Sequence, residues 1–96
     1  MTPPRPLGID VGGTKCLGVV LDGDGAVAAE ARRETPKNAP ALVDALADIV
    51  GELGSAPAVG VGLPGLIDRD GTLVASAHLG AMAGLRLAAR LEDRLG

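Results

Sequence analysis

An α/β fold is predicted by three features of the amino-acid sequence. Residues 7–11, 16–21 and 26–34 are short runs of strand character separated by glycine-rich turns, which is typical of a three-stranded antiparallel meander. The apolar period then changes to that of a helix, and another short apolar run follows at residues 58–63. Because a helix between two strands usually returns the chain to a parallel neighbour, the predicted order is βββ-α-β, followed by a hairpin and a second helix.

Tight turns join the first three strands. Residues 12–15 (GGTK) connect the first strand to the second, and residues 22–25 (DGDG) are a strong hairpin signal between the second and the third. Pro36 and Pro40 then interrupt the strand pattern. The meander is therefore expected to end near residue 34.

The first predicted helix begins near Ala39 and ends before Gly54, a residue type that often follows a helix. Its apolar face consists of residues at helical spacing: Leu42, Val43, Leu46, Ile49, Val50 and Leu53. Residues 58–63, which follow it, are predicted to form a buried strand parallel to the first.

The last third of the chain predicts a short hairpin and a helix. Residues 66–68 and 72–74 flank an Arg-Asp-Gly turn, and turn chemistry accounts for Asp68 and Asp70. The final helix has apolar residues on one side (Leu87, Ala88, Leu91 and Leu95) and arginines on a solvated side (Arg86, Arg90 and Arg94).

These elements are expected to be the front part of a larger domain. The strand at residues 58–63 would be left as an apolar edge, which is a liability in a soluble domain. A helix that follows a parallel strand normally leads to another strand. Cooperative thermal unfolding of the 96-residue chain as a monomer would contradict this expectation.

Composition and charge exclude several classes of function. The chain has 47% apolar residues but no aromatic ones, which argues against stacking platforms for nucleic-acid bases. Its net charge of −3 has the wrong sign for an electrostatic nucleic-acid partner. No apolar run approaches the ~18–20 residues of a membrane span. The single Cys16 is expected to be a small core residue in a reduced, cytoplasmic setting.

The strongest chemical signal is the segment from Asp10 to Lys15. Adjacent Gly12 and Gly13 allow backbone torsions that turn successive N–H groups toward an anion. Thr14 adds a hydroxyl and Lys15 a cation, while the Asp10 carboxylate suits a magnesium ion held through water beside phosphates. The alternative is a plain hairpin in which the glycines only turn the chain and the charged side chains are solvated.

Two familiar phosphate motifs do not fit. The loop is not a Walker A sequence, whose lysine follows a glycine and precedes Ser or Thr. Residues 60–65 match G-x-G-x-x-G letter for letter, but Pro64 and the following turn predict a hairpin where a dinucleotide site needs a helix.

Residues 8–15 (GIDVGGTK), 59–68 (VGVGLPGLID) and 70–72 (DGT) resemble the ROK family of repressors, open reading frames and sugar kinases, and within it the bacterial glucokinases. The resemblance covers nearly the whole chain, from about Leu7 to Gly96. It implies an actin-like, ribonuclease-H-like ATPase fold. Residues 7–96 would form the first part of its N-terminal lobe, incomplete here, after a flexible leader at residues 1–6.

The resemblance also implies roles for individual residues, with ATP and Mg²⁺ as cofactors. Asp10 would organise Mg²⁺ through water, and residues 12–15 (Gly12, Gly13, Thr14 and Lys15) would hold the ATP phosphates. Pro64 and Gly65 would form one wall of the sugar pocket, where a missing side chain lets the ring come close. His78 stands where the family has an asparagine that bonds sugar hydroxyls, which leaves the sugar open.

No catalytic residue is expected within the chain, because the family's catalytic aspartate lies on a strand that would follow Gly96. The expected function is therefore that of the N-terminal segment of an ATP-dependent hexose kinase, which transfers the γ-phosphate to a sugar hydroxyl. A small-molecule sugar is the expected partner, with no nucleic acid or membrane, and the full-length protein is expected to be a homo-oligomer. A non-catalytic sugar-binding regulator of the same family and an inactive fragment remain as alternatives.

Overall fold

The computed structural model describes residues 6–54 and 58–96. Its elements, in chain order, are β1 (Leu7–Val11), β2 (Lys15–Leu21), β3 (Val27–Glu34), α1 (Ala39–Leu53), β4 (Val59–Gly62), β5 (Leu66–Ile67), β6 (Leu73–Ala75), a short 3₁₀ turn (Gly80–Met82) and α2 (Leu87–Leu95). Residues 1–5 of the predicted leader lie outside the described residues, and Pro6 accepts a hydrogen bond from the Leu21 amide. The division into a leader and a lobe stays a prediction.

The predicted meander and the parallel crossover are both confirmed. The main sheet has the strand order β3-β2-β1-β4. β1 and β2 are antiparallel, as are β2 and β3, whereas β4 is parallel to β1. This pairing places Asp10 of β1 between Leu17 of β2 and Gly62 of β4.

One face of this sheet is covered by α1. Leu7, Ile9 and Val11 alternate along β1 and are buried on that face. Gly18 of β2 lies directly under the helix, since a β-carbon built there would overlap the Ile49 side chain. The absence of a side chain at Gly18 therefore lets the helix pack closely on the sheet.

The bounds of α1 agree with the sequence prediction. The Asn38 side chain caps the helix by accepting a hydrogen bond from the Ala41 amide at 2.9 Å. Gly54 follows the last turn with φ of 91°, a conformation that favours glycine. The buried face of the helix consists of Leu42, Val43, Leu46, Ala47, Ile49 and Val50, while Leu53 is half-buried.

The predicted strand forms as β4 and lies at the edge of the sheet as expected, but the prediction that it is buried is wrong. Val59 and Val61 are half-buried, and Gly60 and Gly62 are exposed. The strand is exposed because it lies at the edge of the sheet, where, within residues 6–54 and 58–96, it pairs only with β1.

A groove of about 540 Å³ runs between the free edge of β4 and α2. Leu87 and Leu91 are buried as predicted, whereas Ala88 and Leu95 are exposed and line this groove. The predicted inward face of α2 is therefore only half covered.

The hairpin of β5 and β6 forms as predicted and is a separate two-stranded sheet. The Asp68 carboxylate accepts hydrogen bonds from the amides of Asp70 and Thr72, which confirms its role in the turn. Gly71 completes the turn with φ of 78°.

The segment between β6 and α2 adds core residues that the sequence pattern did not indicate. Leu79, Met82 and Leu85 are all buried against the main core. Arg94, one of the three arginines predicted on the solvated side of α2, forms an ion pair with Asp44 of α1, with 3.4 Å between Nε and Oδ1. No helix in the described parts of the chain has the length and apolar character needed to cross a membrane.

Candidate functional site

The candidate site lies where β1 and β4 end, on the face of the sheet opposite α1. Strand alternation turns Ile9 and Val11 toward the helix and Asp10 away from it. The Asp10 carboxylate is exposed on this open face. A β-carbon at Gly62, on the neighbouring strand, would lie 3.7 Å from Asp10 Oδ1, so the glycine leaves space beside the carboxylate.

The loop between β1 and β2 is closed by a hydrogen bond of 2.8 Å from the Gly12 amide to the Lys15 carbonyl. The next two amides, those of Gly13 and Thr14, donate to no other residue in the described parts of the chain. Two neighbouring N–H groups at an exposed turn are donors available to an anion.

The loop glycines provide space and do not use unusual torsions. Neither Gly12 nor Gly13 has a positive φ, so this turn does not use the left-handed backbone conformation that favours glycine. A β-carbon at Gly12 would lie 3.0 Å from the Lys15 carbonyl oxygen, which is tight for any side chain. The narrowness of the turn is thus the physical reason for glycine.

Lys15 is the first residue of β2 and is exposed. Strand alternation puts its side chain on the same face as Leu17, and therefore on the same face as Asp10. Its cross-strand neighbour on β3 is Glu34. Among the described residues, the ion pairs of the structure include neither Asp10 nor Lys15.

Thr35 lies behind the loop, directly after β3, and is not among the site residues predicted from the sequence. Its hydroxyl donates to the Gly12 carbonyl at 2.8 Å, and its amide donates to the Thr14 carbonyl at 2.8 Å. The Cys16 thiol, buried as predicted, lies 3.5 Å from the same hydroxyl. No local pattern reveals this contact, because 23 residues separate Thr35 from Gly12.

His78 approaches the loop from the other end of the chain. A β-carbon on Gly13 would lie 3.2 Å from His78 Nδ1, so the imidazole packs against this glycine. The Ser76 hydroxyl fixes the same segment by donating to the Pro64 carbonyl and accepting from the Leu79 amide at 2.9 Å. The fold therefore ties the segments of Pro64 and His78 together and brings His78 to the loop.

Gly65 has a packing role of its own. A β-carbon at this position would overlap the Ala75 carbonyl oxygen and come within 3.0 Å of Ser76 Cβ. The close approach of these backbone segments requires glycine whether or not a sugar binds nearby.

The groups around Asp10 suit Mg²⁺ better than they suit a metal ion whose ligands are all protein side chains. No group of three or more His, Cys, Asp or Glu side chains that would hold a metal occurs in residues 6–54 and 58–96. Mg²⁺ commonly takes one or two carboxylates and completes its shell with water and substrate phosphates. The exposed carboxylate of Asp10, on the strand that leads into the loop, matches that pattern.

Comparison with known proteins gives a family. The model of the ROK family matches residues 6–96. The N-acetyl-D-glucosamine kinase of Escherichia coli O7:K1 (strain IAI39 / ExPEC) is 38% identical over 94 residues, which cover 92% of this chain and 31% of that protein. The chain thus spans about a third of the length of this relative.

Solved structures give the same result for the fold. A ROK family glucokinase from Streptomyces griseus, in complex with glucose and AMPPNP, superposes with a TM-score of 0.86 at 29% identity, over 96% of this chain and 30% of that one. An inorganic polyphosphate/ATP-glucomannokinase from Arthrobacter sp. strain KM gives 0.83 at 30% identity, over 98% and 42%. The predicted fold, part of an actin-like kinase lobe, is confirmed.

Proposed function

The chain belongs to the ROK family, and on that premise we propose that it forms the nucleotide-phosphate site of an ATP-dependent sugar kinase. One observation carries the proposal: the Gly13 and Thr14 amides donate to no partner among residues 6–54 and 58–96, and they lie between Asp10 and Lys15, which are exposed on the same face of the sheet. The relatives include kinases of glucose and of N-acetyl-D-glucosamine. The proposed substrate is accordingly a hexose or its N-acetylated amino derivative.

The proposed role of residues 12–15 is to hold the ATP phosphates. Preorganised amide donors stabilise charge on a transferring phosphoryl group without reorganising during the reaction. The Thr14 hydroxyl adds a further donor, and the Lys15 ammonium offsets the charge of the phosphate oxygens. Both side chains are exposed, so a nucleotide reaches them from solvent.

Asp10 is the residue proposed to hold magnesium, through water. The ion, when bound, neutralises charge on the phosphates. The carboxylate itself would repel a phosphate, so its exposure next to this loop is explained by a cation between them. Gly62 keeps the adjacent position clear of side chains.

Pro64, Gly65 and His78 are proposed to contact the sugar. Contact between the imidazole and Gly13 supports a sugar site adjacent to the phosphate loop, as phosphoryl transfer requires. The imidazole both donates and accepts hydrogen bonds, which suits sugar hydroxyls. We assign the base that takes the hydroxyl proton to none of the described residues.

The test uses the protein in the form that its native cells produce. It measures ATP-dependent phosphorylation of glucose, mannose and N-acetylglucosamine. In the Asp10→Asn variant we expect turnover to fall at least about tenfold, with the sugar dissociation constant changed less than about twofold. Asp24→Asn, in the exposed β2–β3 hairpin, is the matched control and should behave as the wild type.

Unchanged turnover in Asp10→Asn would contradict the role of Asp10. If the wild type binds a sugar but transfers no phosphate to any of the three, the protein is a sugar-binding regulator and the kinase proposal fails.

A further inference from the structure

We infer that Thr35 is a positioning residue of the phosphate loop, which holds the Gly12 and Thr14 carbonyls on one side so that the Gly13 amide faces the nucleotide on the other. The inference rests on the proposed function, because it assigns the loop to nucleotide phosphates. It extends the site to a residue outside the loop, at the junction of β3 and α1.

Two hydrogen bonds from this one residue hold the loop. The Thr35 hydroxyl donates to the Gly12 carbonyl and its amide to the Thr14 carbonyl, each at 2.8 Å. Thr35 is 7% exposed and is the buried polar residue of the described core. A buried donor and acceptor pair is costly to break, since a partner left alone keeps its full desolvation cost.

Because the peptide group is planar, these hydrogen bonds also set the direction of the N–H groups that follow the two carbonyls. In a trans peptide, the carbonyl of one residue and the N–H of the next point in opposite directions. Fixing the Gly12 carbonyl on Thr35 therefore turns the Gly13 N–H away from it. Fixing the Thr14 carbonyl does the same for the Lys15 N–H.

The hydroxyl and the amide of Thr35 are separable by substitution. Thr35→Val keeps the shape of the side chain and the amide bond to Thr14 but removes the donor to Gly12. Thr35→Ser keeps the hydroxyl. Cys16→Ala is a matched control, because the thiol touches the Thr35 hydroxyl but bonds neither loop carbonyl.

The experiment uses the protein in the form that its native cells produce. Calorimetry measures how tightly it binds Mg–AMPPNP and, separately, the preferred sugar. We expect Thr35→Val to weaken Mg–AMPPNP binding about tenfold and to change sugar binding less than about twofold. We expect Thr35→Ser to restore nucleotide affinity to within about threefold of the wild type. Cys16→Ala should lower stability while nucleotide affinity stays within about twofold.

Equal nucleotide affinity in Thr35→Val and the wild type would overturn the inference and leave the proposed function intact. Equal losses of nucleotide and sugar affinity would also overturn it, because they would show a purely structural residue. If the wild type itself binds no Mg–AMPPNP, the proposed function fails first.

A measurement on the unmodified protein applies even where Thr35→Val does not fold. Amide hydrogen exchange without nucleotide should be at least about 100-fold slower at Thr35, which is bonded to the loop, than at Thr14, which is not. Similar rates at the two amides would show that the loop is not held before the nucleotide binds, and would overturn the inference.

Discussion

Gly65 illustrates, at the scale of one residue, how packing and binding can require the same side chain to be absent. The family resemblance explains its missing side chain by the approach of a sugar ring. The structure adds a second cause, since a β-carbon would overlap the backbone of Ala75. A substitution here therefore acts on stability before it acts on any ligand.

We expect Gly65→Ala to lower the free energy of unfolding by about 1–3 kcal/mol, because the strand facing it has to move. Gly60→Ala is the control, since a β-carbon there meets nothing within 4 Å, and should change stability by less than about 0.5 kcal/mol. Urea unfolding of both variants checks this. Normal stability with lost sugar affinity in Gly65→Ala would mean that the sugar alone requires the glycine.

Residues of the candidate site differ in how far the sequence reveals them. Asp10, Thr14 and Lys15 are adjacent in sequence, so their common site follows from one strand and one turn. Thr35 and His78 reach the same loop from 20 residues or more away, through pairing of β3 and the fold of the β6–α2 segment. Such contacts depend on tertiary packing, which local patterns do not encode.

At the scale of elements, the contact between α1 and β2 organises the core. The helix lies on the backbone of Gly18, and its own Gly51 is on the opposite, exposed side with nothing near a β-carbon. The same substitution at these two glycines should have effects of opposite sign.

Gly51→Ala should raise the free energy of unfolding by about 0.5–1 kcal/mol, because alanine has the higher helix propensity. Gly18→Ala should lower it by about 1–3 kcal/mol, since Ile49 and Leu53 have to shift. Thermal or urea unfolding measures both. A stability gain from Gly18→Ala would show that the helix does not pack on this strand as described.

Elements with a clear period or cap were predicted well, and short elements were not. The apolar face of α1 and Gly54 predict that helix from the local sequence, and the structure adds the cap at Asn38. The turn at Gly80–Met82 spans three residues, too few for a period. The exposure of β4 depends on which strands flank it, which is a property of the whole sheet.

At the scale of the molecule, apolar surface remains open along one side. The free edge of β4 borders the groove of about 540 Å³, and Ile67 of the neighbouring hairpin, which also lines the groove, is 42% exposed. Open strand edges next to apolar surface favour association with other chains.

A polypeptide limited to these 96 residues is therefore expected to self-associate and to lack a single cooperative thermal transition as a monomer. Sedimentation and calorimetry at several concentrations measure both properties. A monomer with one sharp, concentration-independent transition would contradict the expectation and would show that the groove needs no cover.

The central claim, that residues 12–15 hold nucleotide phosphates, is tested most directly by two-dimensional NMR of the protein during titration with Mg–AMPPNP. We predict that the largest amide shifts occur at Gly13, Thr14 and Lys15, with the Thr35 amide little changed because it is already bonded. Saturable nucleotide binding that leaves the three loop amides unshifted would contradict the account and place the phosphates elsewhere.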